Sequence, residues 1–192
     1  MECNILVVDD FYKNPDEVRA FALTQPFDVS GVYPGPRTAC DTTDECKDAI
    51  AALLYPLGGK ITNFGDYEGS PVYSGGYQLS LATSIKQWVH ADTFNNWAGI
   101  LYLNPDAPLS AGTNFYKHKA TGELKCQNRE EGNMHGEDAY DWTKWELVTS
   151  IANVYNRLIL FRAQQYHTSG DFFGTTLEDG RLTQIFFLST EY

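Results

Sequence analysis

From Lys60 onwards the sequence breaks into short runs rich in β-branched and aromatic residues, each bounded by turn formers. The runs fall at 60–65, 75–82, 86–91, 97–103, 113–118, 150–155, 157–163 and 181–188. Many short strands without alternating helices predict sheets packed face to face, as a sandwich or jelly roll. Two helices precede them. Asn14, Pro15 and Glu17 form a helix start, and Val18, Phe21 and Ala22 make one apolar stripe that ends before Pro26. A second helix is expected from Thr43 to Leu54, with Cys46, Ala49, Ile50 and Leu53 on its apolar face. A short strand is expected at the start of the chain, from Ile5, and residues 28–40, with Gly31, Pro34, Gly35 and Pro36, read as loop. The expected class is therefore mainly β with flanking helices.

A length of 192 residues favours one domain. Residues 1–60 would form an N-terminal helical flank and 60–192 the β core. Residues 117–146 are polar and glycine-bearing, and they read as an insertion into that core, with a short helix expected within 137–153 around Trp142 and Trp145. The formal charge of −11 argues against a nucleic-acid partner held by a broad basic face. No apolar run is long enough to span a membrane, and no basic leader precedes the first apolar residues, so a cytoplasmic protein is expected. Cys3, Cys40, Cys46 and Cys126 form no metal-type pair and read as reduced thiols.

Three elements carry chemistry. His90 and Asp92 stand two apart, which on a strand points both side chains the same way. His167 follows the apolar strand 157–163. Two imidazoles and one carboxylate on one face of an ion form the facial triad of non-haem Fe(II), with positions left open for substrates. Arg181 and Thr183 share one face of the last strand. A guanidinium at the start of an apolar strand is costly to bury without an anion, and its fork suits a carboxylate. A salt bridge to Asp179 is the simpler reading of Arg181.

The order His90-x-Asp92, His167, Arg181-x-Thr183 resembles the Fe(II)/2-oxoglutarate-dependent oxygenases. The segments 100–104, 111–115 and 156–161 are similar to those of the prolyl 4-hydroxylase-like branch, with Ala111 and Asn156 standing where that branch has glycine. The resemblance runs from about Gly75 to Leu188. It implies a double-stranded β-helix (a jelly roll, cupin-like) with the metal at one mouth. His90, Asp92 and His167 would bind Fe(II), and Arg181 with Thr183 would bind the distal carboxylate of 2-oxoglutarate. Tyr77, or second Tyr102, would assist the co-substrate, and Gln87 would support the site from behind. The implied activity uses O2 and 2-oxoglutarate, releases succinate and CO2, and hydroxylates a C–H bond of a peptidyl residue, amino acid or other small molecule. Substrate contacts are expected from 93–97, from the 31–38 loop with Arg37, and from 117–146 with His118 and His135, although exposed loop histidines are the plainer reading. Two other readings remain open: a cupin-like metalloprotein that does not use 2-oxoglutarate, and a non-catalytic binding module.

Overall fold

The computed structural model describes residues 3–31, 33–65, 74–84, 87–127 and 136–191. Among these residues, nine strands and two α-helices follow in the order β1 (Ile5–Val8), α1 (Pro15–Thr24), α2 (Asp44–Gly58), β2 (Lys60–Asn63), β3 (Tyr77–Ser80), β4 (Trp97–Tyr102), β5 (Thr113–His118), β6 (Trp145–Ile151), β7 (Leu158–Arg162), β8 (His167–Ser169) and β9 (Arg181–Glu191). The larger sheet runs β1-β7-β4-β9-β2, with β3 also paired to β9, and the smaller runs β6-β5-β8. All the strand pairs are antiparallel.

Strand alternation sorts the apolar residues into two cores. In β7, Leu158 and Leu160 face the helices while Ile159 and Phe161 face the smaller sheet. In β4, Trp97, Leu101 and the following Leu103 pack on the helix side, and Ala98, Ile100 and Tyr102 on the other. The helix-side core takes Ala22 from α1 and Cys46, Ile50 and Leu54 from α2. The inner core joins the β4 and β7 residues to Phe115 of β5 and Ile151 of β6. A strand buried on both faces reads as continuous hydrophobicity, which is why β4, β7 and β9 stand out in the sequence.

Several expectations change. The N-terminal flank is not only helical: β1 lies at the edge of the larger sheet, paired with β7. The 28–40 loop carries bridges from Arg37 to Val29 and to Gln78, so it extends that sheet beyond β3. Helix α2 runs past Leu54 through Pro56 and is closed by Gly59 at φ 84°. The 86–91 run is no strand among its described residues, pairing only at His90. Residues 142–144 form one 3-10 turn, and the expected helix there is instead strand β6, which ends at Ile151 rather than spanning 150–155. Leu147 and Val148 of β6 are exposed. An edge strand with apolar residues facing solvent lacks the alternation by which a strand is read.

Asn156 stands where the resembled branch has glycine because its φ is 60°, in the left-handed region. Its side chain accepts from the Tyr12 amide (2.9 Å) and donates to the Tyr12 carbonyl (2.8 Å), clasping the β1–α1 link to the start of β7. Asn156→Ala loses both bonds and strains the turn, so urea unfolding should show a stability loss of about 2–4 kcal/mol. Asn156→Gly, which keeps the backbone, should lose less.

Candidate metal centre and anion pocket

His90 and His167 face each other across a narrow antiparallel bridge. The His90 amide donates to the His167 carbonyl (3.0 Å), and the His167 amide returns the bond (2.8 Å). This exchange brings the rings to a centroid separation of 4.4 Å. The Asp92 amide donates to the Ala163 carbonyl (2.8 Å), which anchors the carboxylate beside them. The ligand atoms of His90, Asp92 and His167 all lie within 4.8 Å of one another, and His167 Nε2 is 3.4 Å from Asp92 Oδ2.

Both imidazoles are held by their second nitrogen. His90 Nδ1 contacts the Trp88 carbonyl (3.1 Å) and His167 Nδ1 the Gln165 carbonyl (2.8 Å). A carbonyl only accepts, so each Nδ1 carries the proton and each Nε2 keeps a lone pair for an ion. Burial pushes the His90 imidazole down to about 4, and the neighbouring His167 adds to the shift. His90 is thus a free base at neutral pH. Burial opposes ionisation of Asp92, but its close contact with His167 and, more weakly, the Arg37 charge act the other way, and its carboxyl lies below the usual range. Two imidazole nitrogens and one carboxylate oxygen suit a divalent transition ion. Phe115 and Phe161 pack against His167, with ring centroids 6.2 and 4.7 Å away, and form an apolar wall.

Arg181 is 2% exposed. Its Nε donates to the Ala111 carbonyl (2.7 Å) and an Nη to the Gly112 carbonyl (3.0 Å). Its guanidinium carbon lies 5.7 Å from the Tyr102 ring centroid. No carboxylate pairs with it among the described residues. Asp179, the simpler partner in the sequence, instead accepts from the amides of Thr175 and Thr176, both at 2.7 Å. A buried cation with only carbonyls around it is an electrostatic deficit that an anion would fill. The cradle is built tightly: a side chain on Gly112 would place its Cβ 1.8 Å from the Ile151 carbonyl oxygen.

Strand register links this pocket to the triad. Arg181 touches the chain entering β5 at Gly112, Tyr102 shares a hydrogen bond with Thr113 (2.8 Å), and Phe115 of the same strand lies opposite His167. Thr183 is buried and pairs with both Tyr102 and Gln78. Gln78 in turn pairs with Arg37, whose Nε donates to Gln78 Oε1 (2.9 Å) and whose guanidinium stacks 3.4 Å from the Tyr33 ring centroid. Arg37, Gln78, Thr183 and Tyr102 therefore form one row across the inner face. The Arg37 charge contributes to lowering both His90 and Asp92.

Other expected site residues lie elsewhere. Tyr77 does not join this row. It pairs with Gln184, faces the helices and belongs to their core, because a step of one residue along a strand reverses the face. Trp97 also packs on the helix side, and Asn96 ties the 93–97 stretch to Thr190 by bonds of 2.8 and 2.9 Å. His118 is buried, not an exposed loop histidine: it contacts Thr121 (3.1 Å) and Asp138 (3.0 Å) and so clamps the two ends of the 117–146 segment. His135 lies outside the described residues. Gln87 donates to the Gly170 carbonyl. The carbonyls of Trp88, Gln165, Ala111 and Gly112 were not legible as site groups, since backbone acceptors carry no sequence signal.

The fold is similar to that of solved structures that include a prolyl-4-hydroxylase and a protein with 2-oxoglutarate bound. A prolyl-4-hydroxylase from Pseudomonas putida superposes over 98% of this chain and 94% of its own, at 14% identity and a TM-score of 0.50. HygX from Streptomyces hygroscopicus, solved with nickel, 2-oxoglutarate and hygromycin B bound, superposes over 98% of this chain and 85% of its own, at 10% identity and a TM-score of 0.59. By sequence the chain belongs to the family of unknown function DUF6445, whose model matches residues 2–188. No curated protein sequence matches it. Among the described residues, no helix is long and apolar enough to cross a membrane.

Proposed function

We propose that this protein is an Fe(II)- and 2-oxoglutarate-dependent oxygenase that hydroxylates a C–H bond. The observation that carries the reading is the pairing of two incomplete sites on one inner face: a His90–Asp92–His167 donor set and the buried guanidinium of Arg181, which has no carboxylate partner among the described residues. A metalloprotein that dispensed with 2-oxoglutarate would have no use for the second. In this reading the two sheets are the halves of a double-stranded β-helix, and residues 1–192 form one domain.

His90, Asp92 and His167 hold the iron, and Arg181 with the Thr183 hydroxyl takes the distal carboxylate of 2-oxoglutarate. When bound, iron and 2-oxoglutarate together supply the oxidising power, consuming O2 and releasing succinate and CO2. The chain supplies position and a dry environment. The Trp88 and Gln165 carbonyls fix which nitrogen each imidazole offers. The Ala111 and Gly112 carbonyls hold the Arg181 fork in place before any anion arrives, so little ordering is needed on binding. Tyr102, tied to Thr113, walls the anion pocket, and Ala98, Ile100, Phe115 and Phe161 exclude water. The substrate is a small molecule or an exposed residue of a peptide that enters beside Arg37 and Trp88.

Purified protein incubated with Fe(II), 2-oxoglutarate and O2 should form succinate, slowly without primary substrate and faster with it. Omission of either Fe(II) or 2-oxoglutarate should stop it. Iron-loaded protein that forms no succinate above a buffer control would contradict the assignment.

A further inference from the structure

Tyr77 points away from the metal centre, and what it points into has no role in the proposed reaction. On the helix side of the larger sheet lies an open pocket of about 640 Å3 between α1, α2 and β3. Four aromatic rings line it: Phe11, Tyr12, Phe21 and Tyr77. Phe11 and Tyr12 meet edge to face with centroids 4.9 Å apart, and Phe21 and Tyr77 do so at 6.4 Å. The lining carboxylates are Glu17, Asp41 and Glu45, against one cation, Lys13, which sits 3.5 Å from Glu45 in a fully solvated pair.

The polar groups of the floor divide in two. The Tyr12 hydroxyl donates to Gln184 Oε1 (2.8 Å) and contacts Cys46 Sγ (3.2 Å), while the Gln184 amide donates to the carbonyls of Asp41 and Gly75. The Tyr77 hydroxyl makes no such bond. Tyr77 is 2% exposed, and its hydroxyl has no hydrogen-bond partner among the described residues. Its hydroxyl oxygen is not cut off from solvent, so it is a polar group that this pocket offers to an entering molecule.

We infer that this pocket is a second binding site, separate from the metal centre, for a small organic ammonium ion with an apolar body. Aromatic faces attract a cation through their quadrupole, and the surrounding carboxylates reinforce that preference over an anion. The Tyr77 hydroxyl supplies the hydrogen bond that orients the ligand. Burial also raises both the Tyr77 and Tyr12 phenols, and the Asp41 carboxylate acts on Tyr77 in the same direction. Both phenols therefore stay neutral and leave the negative charge of the site to the carboxylates. The site does not depend on the oxygenase reading, because no residue lining it is a proposed ligand of iron or 2-oxoglutarate.

The test uses three probes with one phenethyl body and different charge, phenethylamine, 2-phenylethanol and phenylacetate, titrated calorimetrically into the metal-free full chain. Phenethylamine should bind saturably, at least about tenfold more tightly than phenylacetate and more tightly than the alcohol. Tyr77→Phe, which removes one oxygen and no packing, should weaken it about fivefold. Ala49→Phe, which fills the pocket from α2, should abolish it. Absence of saturable phenethylamine binding up to about 10 mM, equal affinity for the alcohol or the acid, or binding unchanged in Tyr77→Phe would each overturn the site.

Discussion

Asp92→Ala abolishes Fe(II)-dependent succinate formation and weakens binding of Fe(II), or of the inert surrogate Ni(II), by at least about 100-fold. Asp92 is the one anionic donor among the three, so its loss removes both a bond and the charge that balances a dication. Its two companions keep their places in the variant, because the His90–His167 bridge is made by backbone amides and carbonyls. The loss should therefore appear in metal titration and not in folding. The far-ultraviolet circular dichroism should be unchanged and the melting temperature of the metal-free protein close to that of the parent. A variant that keeps full metal affinity would remove Asp92 from the ligand set.

Arg181→Ala leaves iron binding intact and weakens 2-oxoglutarate by about 30- to 4000-fold, the range for truncating one partner of a buried, hydrogen-bonded charge pair. The guanidinium is not a metal ligand, so the two affinities separate cleanly. Arg181→Lys keeps the charge but not the fork, and it should fall between the parent and the alanine variant. The apo protein loses two bonds to carbonyls and gains relief from a buried charge, and these effects oppose each other. Its stability should move much less than its 2-oxoglutarate affinity. Equal 2-oxoglutarate affinity in parent and Arg181→Ala would send the co-substrate carboxylate to another residue.

The parts of the molecule that were legible in the sequence are those whose side chains repeat. The continuous apolar runs of β4, β7 and β9 follow from burial on two faces, and α1 follows from its Asn14-Pro15 start and apolar stripe. His90, Asp92 and His167 were legible as a set because ligand chemistry restricts residue type. The structure brings them together through one bridge that no periodicity announces. Tyr77 shows the limit. Which face Tyr77 takes depends on the phase of a four-residue strand, and a one-residue shift moves a side chain from the inner face to the helix side. Strand β6 was obscured by its exposed edge, and the cradle around Arg181 by being made of carbonyls. His118 was misplaced for a related reason: a polar segment reads as solvated unless its tertiary partner, here Asp138, is known.

The central claim is that the triad and Arg181 serve one chelated co-substrate. Anaerobic titration of the Fe(II)-loaded protein with 2-oxoglutarate, followed by visible absorption, tests it most directly. The account predicts a weak charge-transfer band that saturates near one equivalent in the parent protein and is absent at the same concentration in Arg181→Ala. Iron that binds fully but gives no band with 2-oxoglutarate, or a band indifferent to Arg181, would contradict it.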